Sequence, residues 1–122
     1  MKTIAVLGST GSIGRQTLDV LRAHPELGRV GALAAHGTVE LLLAQAQEFH
    51  PAFVGIADEA AASALRPYLP AGTRLAVGNE AASEAAALPE ADTVVNGVSG
   101  FAGTEPLLAA LAAGKTVALA NK

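Results

Sequence analysis

Cysteine is absent from the 122-residue sequence, and aromatic residues make up only 3% of it. The absence of cysteine excludes disulfides and thiolate metal sites. Lys and Arg number only 8 and are scattered, and the net charge is −3, so no basic patch indicates a nucleic-acid or acidic-membrane partner. No apolar run approaches the ~20 residues of a membrane span, and the first run is too short for a signal peptide. These absences predict a cytoplasmic domain with no membrane or nucleic-acid partner.

What the sequence does contain is a regular alternation of short apolar runs and helix-like segments. Hydrophobic residues make up 51% of the chain, which is enough to build one core over residues 1–122. Strands and helices that alternate at this spacing are typical of parallel βαβ units with right-handed crossovers. The sequence therefore predicts a doubly wound, Rossmann-like α/β fold, with a mainly parallel sheet and helices on both faces.

The individual elements are predicted from apolar periodicity and from the positions of Gly, Pro and capping residues. The predicted strands are 3–7, 30–35, 53–57, 74–77, 93–95 and 116–120. The predicted helices are 12–24, 39–49, an alanine-rich segment after Asp58, 80–88, and a segment from Thr104 to a stop at Gly114. In this last helix we expect Leu107, Leu108 and Leu111 to face the core.

The segment AVLGSTGSIGRQ places Gly8, Gly11 and Gly14 directly after a predicted strand and at the start of a predicted helix. In that context, this glycine spacing is typical of a dinucleotide-binding turn. The first glycine permits the tight turn, the second lets the backbone approach a pyrophosphate, and the third lets the helix pack closely. The groups expected to bind the anion are the N–H groups of Ser12 and Ile13 and the hydroxyls of Thr10 and Ser12.

The corner at residues 34–38, AAHGT, follows the second predicted strand. At this position an NAD site usually carries an acidic residue that binds the ribose 2′-hydroxyl. The corner contains no acidic residue, and a carboxylate would repel a 2′-phosphate, so the sequence favours NADP. His36, the Gly37 N–H and Thr38 are the candidate phosphate donors, although the corner has no arginine to clamp a phosphate.

No reaction centre is evident in the sequence. His24 and His50 each precede a proline near the end of a predicted helix, which is typical of helix-end residues rather than metal ligands. Paired carboxylates and nucleophile–histidine combinations are also missing. The residues therefore indicate a cofactor platform with no assigned catalytic residue or metal ligand. Asn121 and Lys122 follow the last strand, at the edge where α/β sheets bind ligands.

Three motifs together resemble the 1-deoxy-D-xylulose 5-phosphate reductoisomerase family: GSTGSIG, VVNGVSGFAGTEPLLAALAAGK and the final GKTVALANK. The resemblance extends from Met1 to Lys122. It implies an NADPH-dependent enzyme of the non-mevalonate isoprenoid pathway, which converts 1-deoxy-D-xylulose 5-phosphate to 2-C-methyl-D-erythritol 4-phosphate. It also implies a divalent cation, Mg²⁺ or Mn²⁺, and a homodimer in the full-length enzyme.

The resemblance further implies roles for individual residues. Thr10, Gly11, Ser12 and Ile13 would hold the cofactor pyrophosphate, and His36, Gly37 and Thr38 would meet the adenosine ribose and its 2′-phosphate. Asn121 would contact NADPH near its nicotinamide end, and Lys122 would bind the sugar-phosphate substrate. The family commonly has Gly and Asn where this chain has His36 and Thr38, so the side chains that would meet the 2′-phosphate differ here from those common in the family.

The resemblance also implies that the family's metal ligands and catalytic domain lie outside residues 1–122. We therefore expect this part of the enzyme to be inactive alone. Two alternatives share the glycine turn. One is an NADP-dependent semialdehyde-type dehydrogenase, which uses a catalytic cysteine further along its chain, and the other is an NAD(P)-sensing domain without turnover.

Overall fold

A computed structural model of the protein describes residues 2–98 and 103–119. The strands are β1 (Lys2–Leu7), β2 (Gly28–Ala35), β3 (Phe53–Ile56), β4 (Arg74–Val77), β5 (Thr93–Asn96) and β6 (Thr116–Leu119). The helices are α1 (Ser12–Ala23), α2 (Val39–Phe49), α3 (Glu59–Leu65), α4 (Ala81–Ala86) and α5 (Thr104–Ala112). Within those two ranges, no helix combines the length and apolar character needed to cross a membrane.

The strands form a parallel sheet in the order β4-β3-β2-β1-β5-β6. From β1 to β4 the chain adds each strand to the same edge, and β5 then returns to pair with the other side of β1. Because parallel crossovers are right-handed, this reversal places α1, α2 and α3 on one face and α4 and α5 on the other. The predicted doubly wound fold is confirmed.

The sheet separates two apolar clusters. Ile4 and Val6 of β1 belong to the cluster beneath α1, α2 and α3, whereas Ala5 and Leu7 belong to the cluster beneath α4 and α5. This division follows from the two-residue side-chain period of a strand. The second cluster is rich in alanine, and a methyl group at Gly55 would lie only 3.0 Å from the Ala81 Cβ, so α4 packs very close to β3.

Helix α5 lies where it was predicted, but it buries a different face. Pro106 and Ala110 are buried, while Leu108 is 59% exposed and Leu111 is 57% exposed. The expectation that the leucines of α5 face the core was therefore wrong for Leu108 and Leu111, whereas Leu107 is half-buried. Nearly every position of α5 is apolar, so periodicity does not define one face. Close packing against the alanine-rich cluster then favours the small side chains.

An exposed ion-pair cluster joins α1 to α2. Arg22 donates to Glu48 through Nη2 at 2.7 Å and to Asp19 through Nη1 at 2.7 Å, and its guanidinium lies 5.4 Å from the centre of the Phe49 ring. The bonds to Glu48 and then Asp19 raise the pKa of Arg22, and the bond from Arg22 lowers the pKa of Glu48. Because these groups are exposed, the cluster contributes little to the stability of the fold.

Asp92, which directly precedes β5, forms hydrogen bonds with three strands at the amino edge of the sheet. Its Oδ2 accepts a hydrogen bond from the Thr3 N–H at 3.1 Å, and its Oδ1 accepts one from the Thr93 hydroxyl at 2.9 Å. Its own carbonyl accepts from the Thr116 N–H at 3.1 Å. The Thr3 N–H, followed by the Thr93 hydroxyl, lowers the pKa of Asp92. One carboxylate residue thus links β1, β5 and β6.

Candidate functional site

A cleft of about 620 Å³ opens at the carboxyl edge of the sheet, where the strand order reverses between β1 and β5. Open α/β sheets bind ligands at this point, because the loops that follow neighbouring strands diverge there. The lining residues are Gly8, Thr10, Gly11, Ala34, Ala35, His36, Ala57, Asn79, Ala82, Gly97, Val98, Glu105 and Pro106. Most of these residues are small, so the cleft exposes backbone groups as well as side chains.

The turn between β1 and α1 forms the floor of the cleft. Gly8 adopts a φ of +70°, a left-handed conformation that favours glycine. The N–H groups of Gly8 and Ser9 both donate to the Ala34 carbonyl, at 2.8 and 3.0 Å, and the Gly11 N–H donates to the Gly8 carbonyl at 3.0 Å. These bonds hold the turn against the end of β2.

Gly11 and Gly14 serve different purposes. A methyl group at Gly11 would meet only the Gly8 carbonyl oxygen, at 3.4 Å, so the space beside Gly11 is open to a ligand. A methyl group at Gly14 would lie 2.2 Å from that same oxygen and 2.6 Å from the Ser9 Cα. Gly14 is therefore required for α1 to pack onto the turn, and Gly11 is required only to leave room.

Helix α1 begins at Ser12 and presents its amino end to the turn. Gly11 is its N-cap residue, and no side chain forms a capping hydrogen bond there. The first N–H groups of a helix have no acceptor within the helix, and they carry the positive end of the helix dipole. The arrangement is well suited to binding a phosphate group.

The structure of the corner after β2 differs in one respect from the prediction made from the sequence. His36 lines the cleft, and its carbonyl accepts from the Asp58 N–H at 2.8 Å. A side chain at Gly37 would begin 3.3 Å from the Asp58 Oδ2. The corner itself has no acidic residue, but the fold brings a carboxylate beside it from the end of the neighbouring strand.

Asp58 also has a structural function. Its Oδ1 accepts from the N–H groups of Ala60 and Ala61, at 3.0 and 3.4 Å, and so caps α3. Thr38 occupies the N-cap position of α2 but forms no side-chain capping bond. The capping bonds keep the Asp58 charge at the positive end of α3, which moderates its effect on the corner.

The predicted site residues fall into three groups. Thr10, Gly11 and His36 line the cleft. Ser12 and Ile13 lie in the first turn of α1, and Gly37 and Thr38 precede α2 next to the cleft. Asn121 and Lys122 lie outside the described residues. The fold therefore brings the glycine turn and the β2 corner to one edge.

The sequence analysis missed the opposite wall of the cleft. Asn79 follows β4, Gly97 and Val98 follow β5, and Glu105 is the second residue of α5. Each lies just beyond the carboxyl end of a strand or at the start of the helix that follows. This position along the chain was the available signal, since parallel strands deliver such residues to one edge. Glu105 adds a negative charge that is unfavourable for an anionic ligand.

No group of three or more His, Asp or Glu side chains that could hold a metal ion occurs within residues 2–98 and 103–119. His24 and His50 are the C-cap residues of α1 and α2, as expected for helix-end residues. The N–H of His50 donates to the Ala46 carbonyl at 2.9 Å, and the residue adopts a φ of 47°.

Comparison with known proteins gives one consistent result. The family model described as 1-deoxy-D-xylulose 5-phosphate reductoisomerase matches residues 4–122. A 1-deoxy-D-xylulose 5-phosphate reductoisomerase from Chlorobaculum tepidum is 47% identical over 100% of this chain and 32% of its own length. One from Bradyrhizobium sp. is 52% identical over 100% of this chain and 30% of its own length.

Solved structures give the same result. A crystal structure of DOX-P reductoisomerase in complex with NADPH, fosmidomycin and magnesium has a TM-score of 0.91 at 38% identity, covering 99% of this chain and 30% of that chain. The reductoisomerase from Zymomonas mobilis in complex with NADPH has a TM-score of 0.90 at 38% identity, covering 98% and 32%. The chain thus spans about a third of the length of these relatives. The semialdehyde-dehydrogenase and NAD(P)-sensor alternatives are not favoured by these matches.

Proposed function

The chain belongs to the 1-deoxy-D-xylulose 5-phosphate reductoisomerase family, and from this premise we propose that it is the NADPH-binding part of such an enzyme. The whole enzyme would rearrange 1-deoxy-D-xylulose 5-phosphate to an aldehyde and reduce it to 2-C-methyl-D-erythritol 4-phosphate. The observation that carries the proposal is the open glycine turn at the amino end of α1, at the switch point of the sheet.

The described residues fit a dinucleotide. The open space beside Gly11 lets the backbone approach a pyrophosphate, and the N–H groups of Ser12 and Ile13 lie in the first turn of α1. The hydroxyls of Thr10 and Ser12 provide further donors. His36, Gly37 and Thr38 would hold the adenosine ribose and its 2′-phosphate. Bound NADPH would supply the hydride for reduction of the aldehyde.

Two further residues complete the proposal. Asn121 would contact NADPH near its nicotinamide end, and Lys122 would bind the sugar phosphate through its ammonium group. The divalent cation, Mg²⁺ or Mn²⁺, would be held by residues of the whole enzyme outside this chain. Magnesium is present in a related reductoisomerase structure with a TM-score of 0.91. We also propose that the whole enzyme is cytoplasmic and homodimeric.

Calorimetric titration with NADPH and NADH tests the proposal. We expect NADPH to bind more tightly, because no acidic residue in the 34–38 corner engages a ribose 2′-hydroxyl and Asp58 is held at the α3 amino end. Equal or tighter binding of NADH would contradict the assigned cofactor. A matched variant, Asp58→Asn, retains an oxygen that can cap α3 while removing the charge beside Gly37, and it should bind NADPH at least as tightly as the parent.

A further inference from the structure

A buried amide lies beneath the glycine turn. Gln45, on the core-facing side of α2, is only 4% exposed. Its Nε2 donates to the Ser9 carbonyl oxygen at 2.8 Å, a buried bond between residues 36 positions apart in the chain. Since a carbonyl oxygen only accepts hydrogen bonds, the nitrogen must be the amide atom that faces Ser9. The bond therefore fixes the orientation of the Gln45 amide.

This glutamine occupies a position where an apolar residue would be expected. Its neighbours on the buried face of α2 are Leu42 and Ala46, both fully buried in the apolar cluster. Among the described residues, Gln45 Oε1 and Ser9 Oγ are buried without a hydrogen-bond partner. Burying these atoms is costly. The position of Gln45 is therefore not explained by core packing alone.

The bond from Gln45 completes the restraint of Ser9. The Ser9 N–H already donates to the Ala34 carbonyl at 3.0 Å, so β2 holds one side of the residue and α2 holds the other. Ser9 is completely buried, whereas the next residue, Thr10, lines the cleft. The restraint acts at the last buried residue before the proposed phosphate site.

Holding the Ser9 carbonyl also orients the next N–H group. The peptide unit from Ser9 to Thr10 is planar and trans, so its C=O and N–H point in opposite directions. With the carbonyl oxygen directed at α2, the Thr10 N–H is directed away from α2. The described residues give this N–H no backbone acceptor. It is a donor that a ligand in the cleft can use.

We infer that Gln45 is a positioning residue for phosphate binding: it holds the Ser9 carbonyl and thereby aims the Thr10 N–H at the cofactor pyrophosphate. The inference rests on the proposed function. Gln45 does not touch the cofactor itself, and it acts through the peptide unit between Ser9 and Thr10.

The test is Gln45→Met, which keeps the length of the side chain and removes the donor. We expect the NADPH dissociation constant to rise about tenfold, because the free energy lost corresponds to roughly one hydrogen bond. Gln47→Met is the matched control. Gln47 lies on the same helix and donates to the Tyr68 carbonyl at 3.3 Å on the exposed side, so its loss should leave NADPH affinity unchanged.

A second control separates positioning from stability. Leu42→Ala opens the core under the same helix, and we expect it to lower the melting temperature without changing NADPH affinity below the melting transition. If Gln45→Met and Leu42→Ala weaken binding to the same extent, Gln45 is merely structural and the inference is wrong. Unchanged affinity in a folded Gln45→Met variant overturns it as well.

A measurement on the unmodified protein keeps the inference testable if Gln45→Met does not fold. In ¹H–¹⁵N NMR spectra, the Thr10 amide resonance should shift strongly when NADPH is added. A Thr10 resonance that stays in place while those of Ser12 and Ile13 move would overturn the inference and leave the proposed function intact. Failure of the unmodified protein to bind NADPH at all would instead overturn the proposed function.

Discussion

At the scale of single residues, Gly11 and Gly14 show how one motif serves two purposes. Gly11 has an extended conformation, with a φ of −83° and a ψ of 178°, which any residue can adopt. Only its missing side chain matters, since that side chain would occupy space proposed for the pyrophosphate. Gly14 instead lies against the backbone of the turn, where even one methyl group would clash. Gly11 therefore leaves space for the ligand, and Gly14 allows α1 to pack on the turn.

Gly11→Val should therefore abolish NADPH binding while the protein stays folded. The isopropyl group fills the open space, whereas the backbone conformation remains accessible to valine. Calorimetry measures the binding and circular dichroism the fold. Gly14→Ala is the matched comparison and should lower the melting temperature, because its methyl group would lie 2.2 Å from the Gly8 carbonyl oxygen. A folded Gly11→Val variant with unchanged affinity would contradict the role given to Gly11.

At the scale of elements, we expect the Asp92 carboxylate to make the stability of the sheet depend on pH in the acid range. Its pKa is lowered in the folded state by the Thr3 N–H and then the Thr93 hydroxyl. A carboxyl group with a lowered folded pKa stabilises the fold above its ordinary pKa of about 3.9, and this contribution is lost as the pH falls through the folded value.

Asp92→Asn should accordingly reduce the free energy of unfolding near neutral pH, and the difference from the parent should shrink below about pH 4. Urea unfolding at several pH values measures both quantities. Asp19→Asn removes an equal charge from a side chain that is 72% exposed. The free energy of unfolding of this variant should differ less from that of the parent, and the difference should change less with pH. A constant difference across the acid range would show that the Asp92 charge does not stabilise the fold.

Helix α5 offers a second test at this scale. Leu108→Ala and Leu111→Ala should each change the free energy of unfolding by no more than about 0.5 kcal/mol, because both side chains are more than half exposed. The same substitution at Leu18, which is 1% exposed, should cost about 2–5 kcal/mol. Chemical denaturation of the three variants measures this contrast. Comparable losses in all three would mean that α5 buries its leucines after all.

The elements also show what a sequence can and cannot predict here. All six strands were predicted to within about two residues, because each is a short apolar run bounded by glycine, proline or polar residues. The glycine turn was predicted because its residues are adjacent in the chain. Asp58 beside Gly37, and the buried bond from Gln45 to Ser9, join residues from different elements. No local pattern encodes such contacts.

At the scale of the whole molecule, the expected behaviour is binding without turnover. The 122-residue chain should bind NADPH but show no reductoisomerase activity with Mg²⁺ or Mn²⁺, since its described residues contain no cluster of three metal-binding side chains. Spectrophotometric measurement of NADPH oxidation with 1-deoxy-D-xylulose 5-phosphate tests this. Measurable turnover by the chain alone would contradict the proposal that the divalent cation is held by residues outside this chain. A full-length family enzyme, assayed in parallel, is the positive control.

The order of the strands also has a consequence for folding. β1 pairs with β2, which follows after one helix, but it pairs with β5 only after β3 and β4 have been synthesised, as the 89-residue separation between Thr3 and Asp92 shows. Contacts between distant segments form slowly, because a long loop must close first. We therefore expect a nascent chain to form the glycine turn and the β2 corner before the wall at Gly97 and Val98. We expect full affinity for NADPH to develop only once β5 has paired with β1 and the wall at Gly97 and Val98 is in place.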